Sequence, residues 1–171
     1  PGTCPYVGDP DERDYFRGTS AHNTIRIDKQ DQAIPSGPFR WLEKPDTNVE
    51  RFSTSPDEDS AVGVCRYRGF THRRRIRFRK PDLFDIVDEI QGPPGEHLIE
   101  QFWHMQAAPV ETTRGTWRIG NAAELIVNGG EMEQSWRSRS LGSKEPSSRI
   151  CIRQRSTLPV ELHAQVRILL K

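Results

Sequence analysis

Apolar and charged residues alternate with a period of two along most of this chain, which limits the folds open to it. Residues 73–80, RRRIRFRK, show the pattern clearly, because Ile76 and Phe78 are each flanked by arginines. Successive side chains of a strand point to opposite faces, so one face of such a segment is buried and the other is charged. The pattern predicts an antiparallel strand with one side in water.

The same alternation recurs in ten further segments, separated by clusters of Pro, Gly, Asp and Ser such as GPPGE and GSKEPSS. Helical periodicity is nearly absent. The sequence therefore predicts an all-β fold, an antiparallel β-sandwich of two sheets with a jelly-roll-like character. No repeat or linker divides the chain, so we predict one domain over residues 1–171. The further segments are 23–28, 37–41, 48–55, 61–70, 83–92, 97–106, 113–120, 123–129, 149–155 and 160–170.

Composition excludes several classes of protein. Apolar residues make up 33% and charged residues 29% of the chain, which supports a packed core rather than disorder. No apolar run approaches the roughly 20 residues that cross a bilayer, so we predict no membrane span. The chain opens on Pro1 rather than methionine, and we interpret it as a piece of a longer protein.

Basic residues are concentrated in residues 66–80, which hold eight of the 25 in the chain. One interpretation is the solvated face of a strand. A second is a stripe of guanidinium groups facing an acidic partner, since Arg pairs bidentately with carboxylate and sulfate-like groups. The net charge of +1 and the nearby Asp82, Asp85 and Asp88 argue against a third, a nucleic-acid surface, so we predict no nucleic-acid partner.

The cysteines and histidines form no complete motif. Cys65 and Cys151 lie in alternating segments and are predicted to be core residues. None of the five histidines pairs with another at i, i+2 or i, i+4, so spacing alone predicts no metal site. We predict that His104 is a core or interface residue, and no catalytic residue is assignable. His22, which follows Gly18-Thr19-Ser20 at the start of a strand, is either a ligand or a polar group that pins the strand.

A longer stretch resembles a known family. DERDYFRGTSAHNTIRIDKQDQ (11–32), followed by SGPFRW (36–41), is similar to the carboxy-terminal portion of the heparinase II/III family of bacterial polysaccharide lyases. FWHM (102–105) and WRSRSLGSKEP (136–146) add support, and the resemblance runs in order from residue 1 to about residue 160.

The resemblance implies a two-part enzyme whose N-terminal α/α toroid, absent from this chain, carries the main proton-transfer groups. The β-sandwich closes the other wall of the cleft. Such lyases remove the C5 proton of a uronic acid and expel the glycosidic oxygen from C4, which requires neutralisation of the adjacent carboxylate. The expected partners are thus an acidic polysaccharide and the protein's own toroid, in the periplasm or outside the cell.

The resemblance also implies site residues. Several relatives bind zinc through an upstream histidine, the Asp preceding the motif that begins here at Pro1, and the histidine that corresponds to His22. Imidazole and carboxylate both suit zinc. We also expect residues of the opening segment to bind substrate, although Arg13 could instead pair with Asp11 or Asp14. The predicted substrate-binding residues are Tyr6, Arg13, Tyr15 and Arg17.

One departure from the family pattern and one alternative function stay open. Lys29 stands where relatives have Gly, so we expect the turn at Asp28 to take another shape. The alternative, from a different class, is a non-catalytic carbohydrate-binding or assembly module on the same sandwich.

Overall fold

The computed structural model describes residue 2 and residues 9–170. A helix, α1 (Pro10–Arg17), comes first; it was not predicted, but with eight residues it agrees with the expectation that helix is nearly absent. The Asp9 carboxylate caps it by accepting a hydrogen bond from the Asp11 amide at 2.9 Å. Proline is tolerated at position 10, because an amide hydrogen in the first turn would have no partner within the helix. With eight residues, this helix is defined by its cap rather than by a long apolar stripe.

Strands dominate the rest of the described chain, and all pair antiparallel. They are β1 (Ile25–Ile27), β2 (Ile34–Ser36), β3 (Arg40–Glu43), β4 (Asp46–Thr54), β5 (Glu58–Tyr67), β6 (Phe70–Arg79), β7 (Leu83–Gln91), β8 (Glu96–Met105), β9 (Pro109–Thr113), β10 (Thr116–Ile119), β11 (Ala123–Val127), β12 (Glu131–Arg137), β13 (Glu145–Thr157) and β14 (Val160–Ile168). A four-stranded sheet has the order β1-β8-β13-β12, and an eight-stranded sheet has the order β4-β5-β6-β7-β14-β11-β10-β9. Strands β2 and β3 form a separate hairpin.

The predicted all-β, antiparallel sandwich is confirmed, because side chains from both large sheets meet in a common core. One cluster joins Ile86 and Trp117 of the eight-stranded sheet to Trp103 and Ile150 of the four-stranded sheet. A second cluster lies around Ile25, Ile90 and Ile99 of both sheets. The inward positions follow the period of two that predicted the strands.

Both cysteines of the described chain have free thiols, and they differ in burial. Cys151 is buried and Cys65 is half-buried. The prediction of a core position is confirmed for Cys151, while Cys65, on the strand next to the edge strand β4, packs against the margin of the second core cluster. Burial raises the pKa of the Cys151 thiol to about 12, so it behaves as an apolar side chain.

Several strand boundaries differ from the prediction. The segment 61–70 is not one strand, because β5 ends at Tyr67 and β6 begins at Phe70. Between them, Arg68 and Gly69 have positive φ angles of 49° and 82°, as a two-residue hairpin turn requires. The alternating patterns of β5 and β6 therefore look like one long strand in the sequence, because Arg68, and not a glycine, occupies the first turn position.

Three strands were not predicted, namely β2, β9 and β12. The GSKEPSS segment, predicted as a break, contains the start of β13 at Glu145. Pro146 is tolerated there because it pairs only with Trp136 of β12, while pairing with β8 begins at Ser148. A proline lacks an amide hydrogen, and this stretch is open on one side.

The turn after β1 corrects a further expectation. Asp28 and Lys29 have φ angles of 50° and 58°, and the Gln30 amide donates to the Ile27 carbonyl at 2.9 Å. This is the tight turn expected of glycine, retained without it. The Asp28 carboxylate supports it by accepting from the Leu98 amide at 2.9 Å and from the His97 ring at 2.7 Å.

Within the described residues, no helix is long and apolar enough to span a membrane.

Candidate functional site

His22 is presented by a tight turn between α1 and β1. A single 3-10 turn (Thr19–Ala21) follows the helix, and the His22 amide donates to the Thr19 carbonyl at 3.1 Å. Thr19 is buried and is held by two residues that follow the turn after β1. Its amide donates to Asp31 at 2.9 Å, and its hydroxyl accepts from the Gln32 amide at 2.8 Å. The pair Asp31-Gln32 therefore positions the residues that lead into His22.

Among the described residues, one nitrogen of the His22 ring has a hydrogen-bond partner and the other is left as an acceptor. Its Nε2 lies 3.1 Å from the Phe16 carbonyl oxygen, and because a carbonyl only accepts, Nε2 carries the hydrogen. The neutral ring then has its lone pair on Nδ1. Although the residue is exposed overall, partial burial of the ring among neighbouring atoms lowers the pKa of His22 below its ordinary value.

Arg17, a predicted substrate-binding residue, clamps the β2–β3 hairpin onto α1. Its guanidinium donates to the carbonyls of Gly37 at 2.6 Å and Arg40 at 2.9 Å. The same group lies 4.0 Å from the centre of the Trp41 ring. Arg17 therefore has a structural role in this chain, and substrate binding by it stays a prediction.

The other predicted substrate-binding residues also have local partners where they are described. Arg13 forms a bidentate pair with Asp14, at 2.8 and 3.1 Å, which matches one of the two alternatives for this residue. The hydroxyl oxygen of Tyr15 accepts from the Trp136 amide at 3.1 Å, which ties α1 to β12. Tyr6 lies outside the described residues. The structure thus places Arg13, Tyr15 and Arg17 together on helix α1, ahead of His22.

A buried polar network lies behind the His22 turn and was not predicted. Asp88 of β7 is fully buried, and its carboxylate accepts from His72 at 2.6 Å, from Arg74 at 2.6 and 2.8 Å, and from Gln101 at 2.7 Å. Burial opposes ionisation, but the hydrogen bonds from His72 and Arg74 outweigh it and hold the pKa of Asp88 well below its ordinary value. Since Gln101 belongs to β8, this carboxylate joins the two sheets.

The network reaches the candidate site through Arg74, whose NH1 donates to the Asn23 carbonyl at 2.5 Å. A signal for it exists in the sequence. In LFDIVDEI the inward positions read Phe84, Ile86, Asp88 and Ile90, so a carboxylate occupies a core position. A charged residue there requires a buried partner, and Arg74 is the inward arginine of the adjacent strand.

The arginines of β6 are neutralised within the sheet. All five lie within ion-pair distance of a carboxylate on another strand of the same sheet. Apart from the inward Arg74, this supports the interpretation of residues 66–80 as an ordinary charged face. The nearest acidic partners are Glu50 for Arg73, Asp88 for Arg74, Glu89 for Arg75, Glu58 for Arg77 and Asp85 for Arg79.

Comparison with known families identifies the relationship. The family model described as "Heparinase II/III-like, C-terminal" matches residues 1–168. The chain belongs to this heparinase II/III-like C-terminal family. No curated protein matches the sequence.

Solved structures of heparinases share the fold of this family member. One heparinase III aligns with a TM-score of 0.75 at 19% identity, over 96% of this chain and 26% of that chain. A second heparinase III has a TM-score of 0.71 at 20% identity, over 95% and 25% of the two chains. The heparan sulfate lyase HepC from Pedobacter heparinus has a TM-score of 0.73 at 15% identity, over 98% and 27%. This chain therefore spans about a quarter of the length of these proteins.

His22 fits the zinc that the family resemblance implies, as a single ligand. The Nδ1 lone pair of an ordered, neutral imidazole is a suitable donor. Among the described residues, however, no group of three or more His, Cys, Asp or Glu side chains could hold a metal ion. The described chain would therefore supply His22 as one ligand of such a site.

Proposed function

We propose that this chain is the C-terminal β-sandwich of a polysaccharide lyase that cleaves uronate-containing polysaccharide by β-elimination. The observation that carries the proposal is the family match over residues 1–168. The heparinase fold and the rigid presentation of His22 support it. We further propose that the intact protein acts in the periplasm or outside the cell, where such polymers are met.

In this proposal the sandwich organises charge, and the acid and base groups come from the toroid. Removal of the C5 proton places negative charge beside a carboxylate that is already ionised, so positive groups must compensate. A zinc ion, when bound, would supply such charge near the cleft. His22 would hold it through Nδ1, while Phe16 fixes the ring through Nε2. Helix α1, tied to β12 by Tyr15, would form the adjoining wall.

The test uses the intact protein with a panel of heparan sulfate, heparin, alginate and related uronans. Each elimination creates an unsaturated uronate that absorbs in the ultraviolet. We expect absorbance to rise on at least one polymer, and little or no rise with residues 1–171 alone, which lack the toroid. Binding of the polymers without any absorbance change would refute the lyase and favour the non-catalytic carbohydrate-binding module.

Metal content provides the second arm. We expect purified intact protein to contain about one zinc per chain, and His22→Ala to lose most of it, because one of a small set of ligands is removed. Full zinc occupancy in His22→Ala would contradict the ligand assignment, whatever the activity.

A further inference from the structure

The turn that leads into His22 is held at Ser20 by two side chains of the four-stranded sheet. The Ser20 carbonyl accepts from Arg149 NH1 at 2.7 Å and from His104 Nε2 at 2.9 Å. Arg149 is itself fixed, because it pairs with Glu133 at 2.8 Å and lies 4.6 Å from the centre of the Phe102 ring. A carbonyl has two lone pairs, and both donors approach from β8 and β13.

Asn23, the residue after His22, is held by β8, the strand that carries His104. The Asn23 side-chain oxygen accepts from the His104 amide at 2.7 Å. His104 therefore contacts the chain on both sides of His22, with its ring at Ser20 and its backbone at Asn23. The Asn23 carbonyl is held in addition by Arg74 from the eight-stranded sheet. Rotation of the His22 turn would break bonds to both sheets.

His104 maintains this contact at a cost. Since its Nε2 must donate to Ser20, its Nδ1 is an acceptor, and that atom is buried without a hydrogen-bond partner among the described residues. Burying such a group unpaired is unfavourable. If His104 had no polar role, an apolar side chain at this position would avoid that cost. Burial also lowers the pKa of His104 to about 4, so the ring stays neutral near neutral pH.

We propose that His104 and Arg149 are positioning residues that fix the Ser20 carbonyl and thereby aim His22 at the cation. This inference rests on the proposed function, in which His22 is a zinc ligand. In this proposal neither residue would be a metal ligand. They act through the backbone. Groups that contact a metal ligand commonly orient it in this way. The FWHM segment, which contains His104, thereby acquires a role that its spacing alone does not suggest.

The test compares two amides at position 104 in the intact protein. His104→Gln places an amide nitrogen near the position of Nε2 and keeps a donor within reach of Ser20. His104→Asn places its amide nitrogen near the position of Nδ1, and this side chain is too short to reach the Ser20 carbonyl. We expect the zinc Kd, measured by competition with a chromogenic chelator, to rise roughly 10–100-fold for His104→Asn and only slightly for His104→Gln.

Arg149 and a control on β8 complete the design. Arg149→Met keeps much of the aliphatic packing but removes the donor, and we expect a similar rise in the zinc Kd. His97→Phe is the matched control, because His97 holds the opposite end of β1 through Asp28. It should lower the melting temperature without weakening zinc binding. Equal zinc affinity in His104→Asn and His104→Gln, or an equal loss in His97→Phe, would overturn the positioning role.

The two levels of inference fail in different ways. If His22→Ala keeps its zinc, the ligand assignment in the proposed function fails. If His22→Ala loses zinc while His104→Asn and Arg149→Met bind it as tightly as the unaltered protein does, only the positioning role fails.

Discussion

Replacing Asp88 by alanine removes a carboxylate on which four hydrogen bonds converge, from His72, Gln101 and two nitrogens of Arg74. The side chain of Arg74 is only 18% exposed, so its charge would be left with little solvent and without a carboxylate, its remaining acceptor being the Asn23 carbonyl. Removing one partner of a buried ion pair costs about 3–5 kcal/mol. At this chain length, that corresponds to a fall in melting temperature of roughly 10 °C.

The assay is urea unfolding followed by tryptophan fluorescence, with Glu58→Ala as the control. Glu58 pairs with Arg77 at 2.6 Å, but both side chains are at least one-third exposed, at 34% and 50%. Such a surface pair contributes about 1 kcal/mol or less. If Asp88→Ala loses no more stability than Glu58→Ala, the network does not hold the sheets together.

The pH dependence gives the same prediction a second measurement. Because the pKa of Asp88 is lowered in the folded state, its stabilisation is present above the unfolded pKa of about 4 and is lost as the pH falls toward the folded value. The stability difference between the unaltered protein and Asp88→Ala should therefore be constant near neutral pH and shrink in acid. A difference that grows in acid would show that the sign of this reasoning is wrong.

Two further predictions concern the ends of β1. Lys29→Gly should raise the free energy of unfolding in urea by about 0.5 kcal/mol. Removing the side chain relieves strain at a positive φ angle, and this relief outweighs the added backbone entropy of the unfolded chain. Lys29→Ala, which keeps a Cβ atom, should not raise it. In an NMR titration of the imidazole signals, His97 should titrate above its ordinary pKa because of its hydrogen bond with Asp28, and His104 should titrate near 4 because of burial. The His97 contribution to stability is then present below about pH 6.5 and lost as pH rises through its folded pKa, while burial of His104 destabilises the fold as pH falls below about 6.5. Identical titration midpoints for the two histidines would contradict both assignments.

Local patterns predicted the strands well where one face was apolar, and poorly elsewhere. Strands β6, β7 and β8 alternate clearly and were predicted, although β6 was merged with the end of β5 at Arg68. Strand β12, EMEQSWR, was missed because it has few apolar residues at alternating positions. Its place beside β13 comes from pairing rather than from its own pattern. Helix α1 was missed because a cap at Asp9 and eight residues, about two turns, produce no extended periodicity.

The candidate site shows the same division. The sequence by itself determined that His22 lies at a strand start after a polar turn, because those features depend only on neighbouring residues. It also determined the family, since the motifs follow in order along the chain. Only the tertiary structure decided that His104, Arg149 and Arg74 meet the backbone around His22 from two different sheets. Hydrogen bonds between residues 51, 81 and 129 positions apart depend on strand register and sheet packing, which no local pattern encodes.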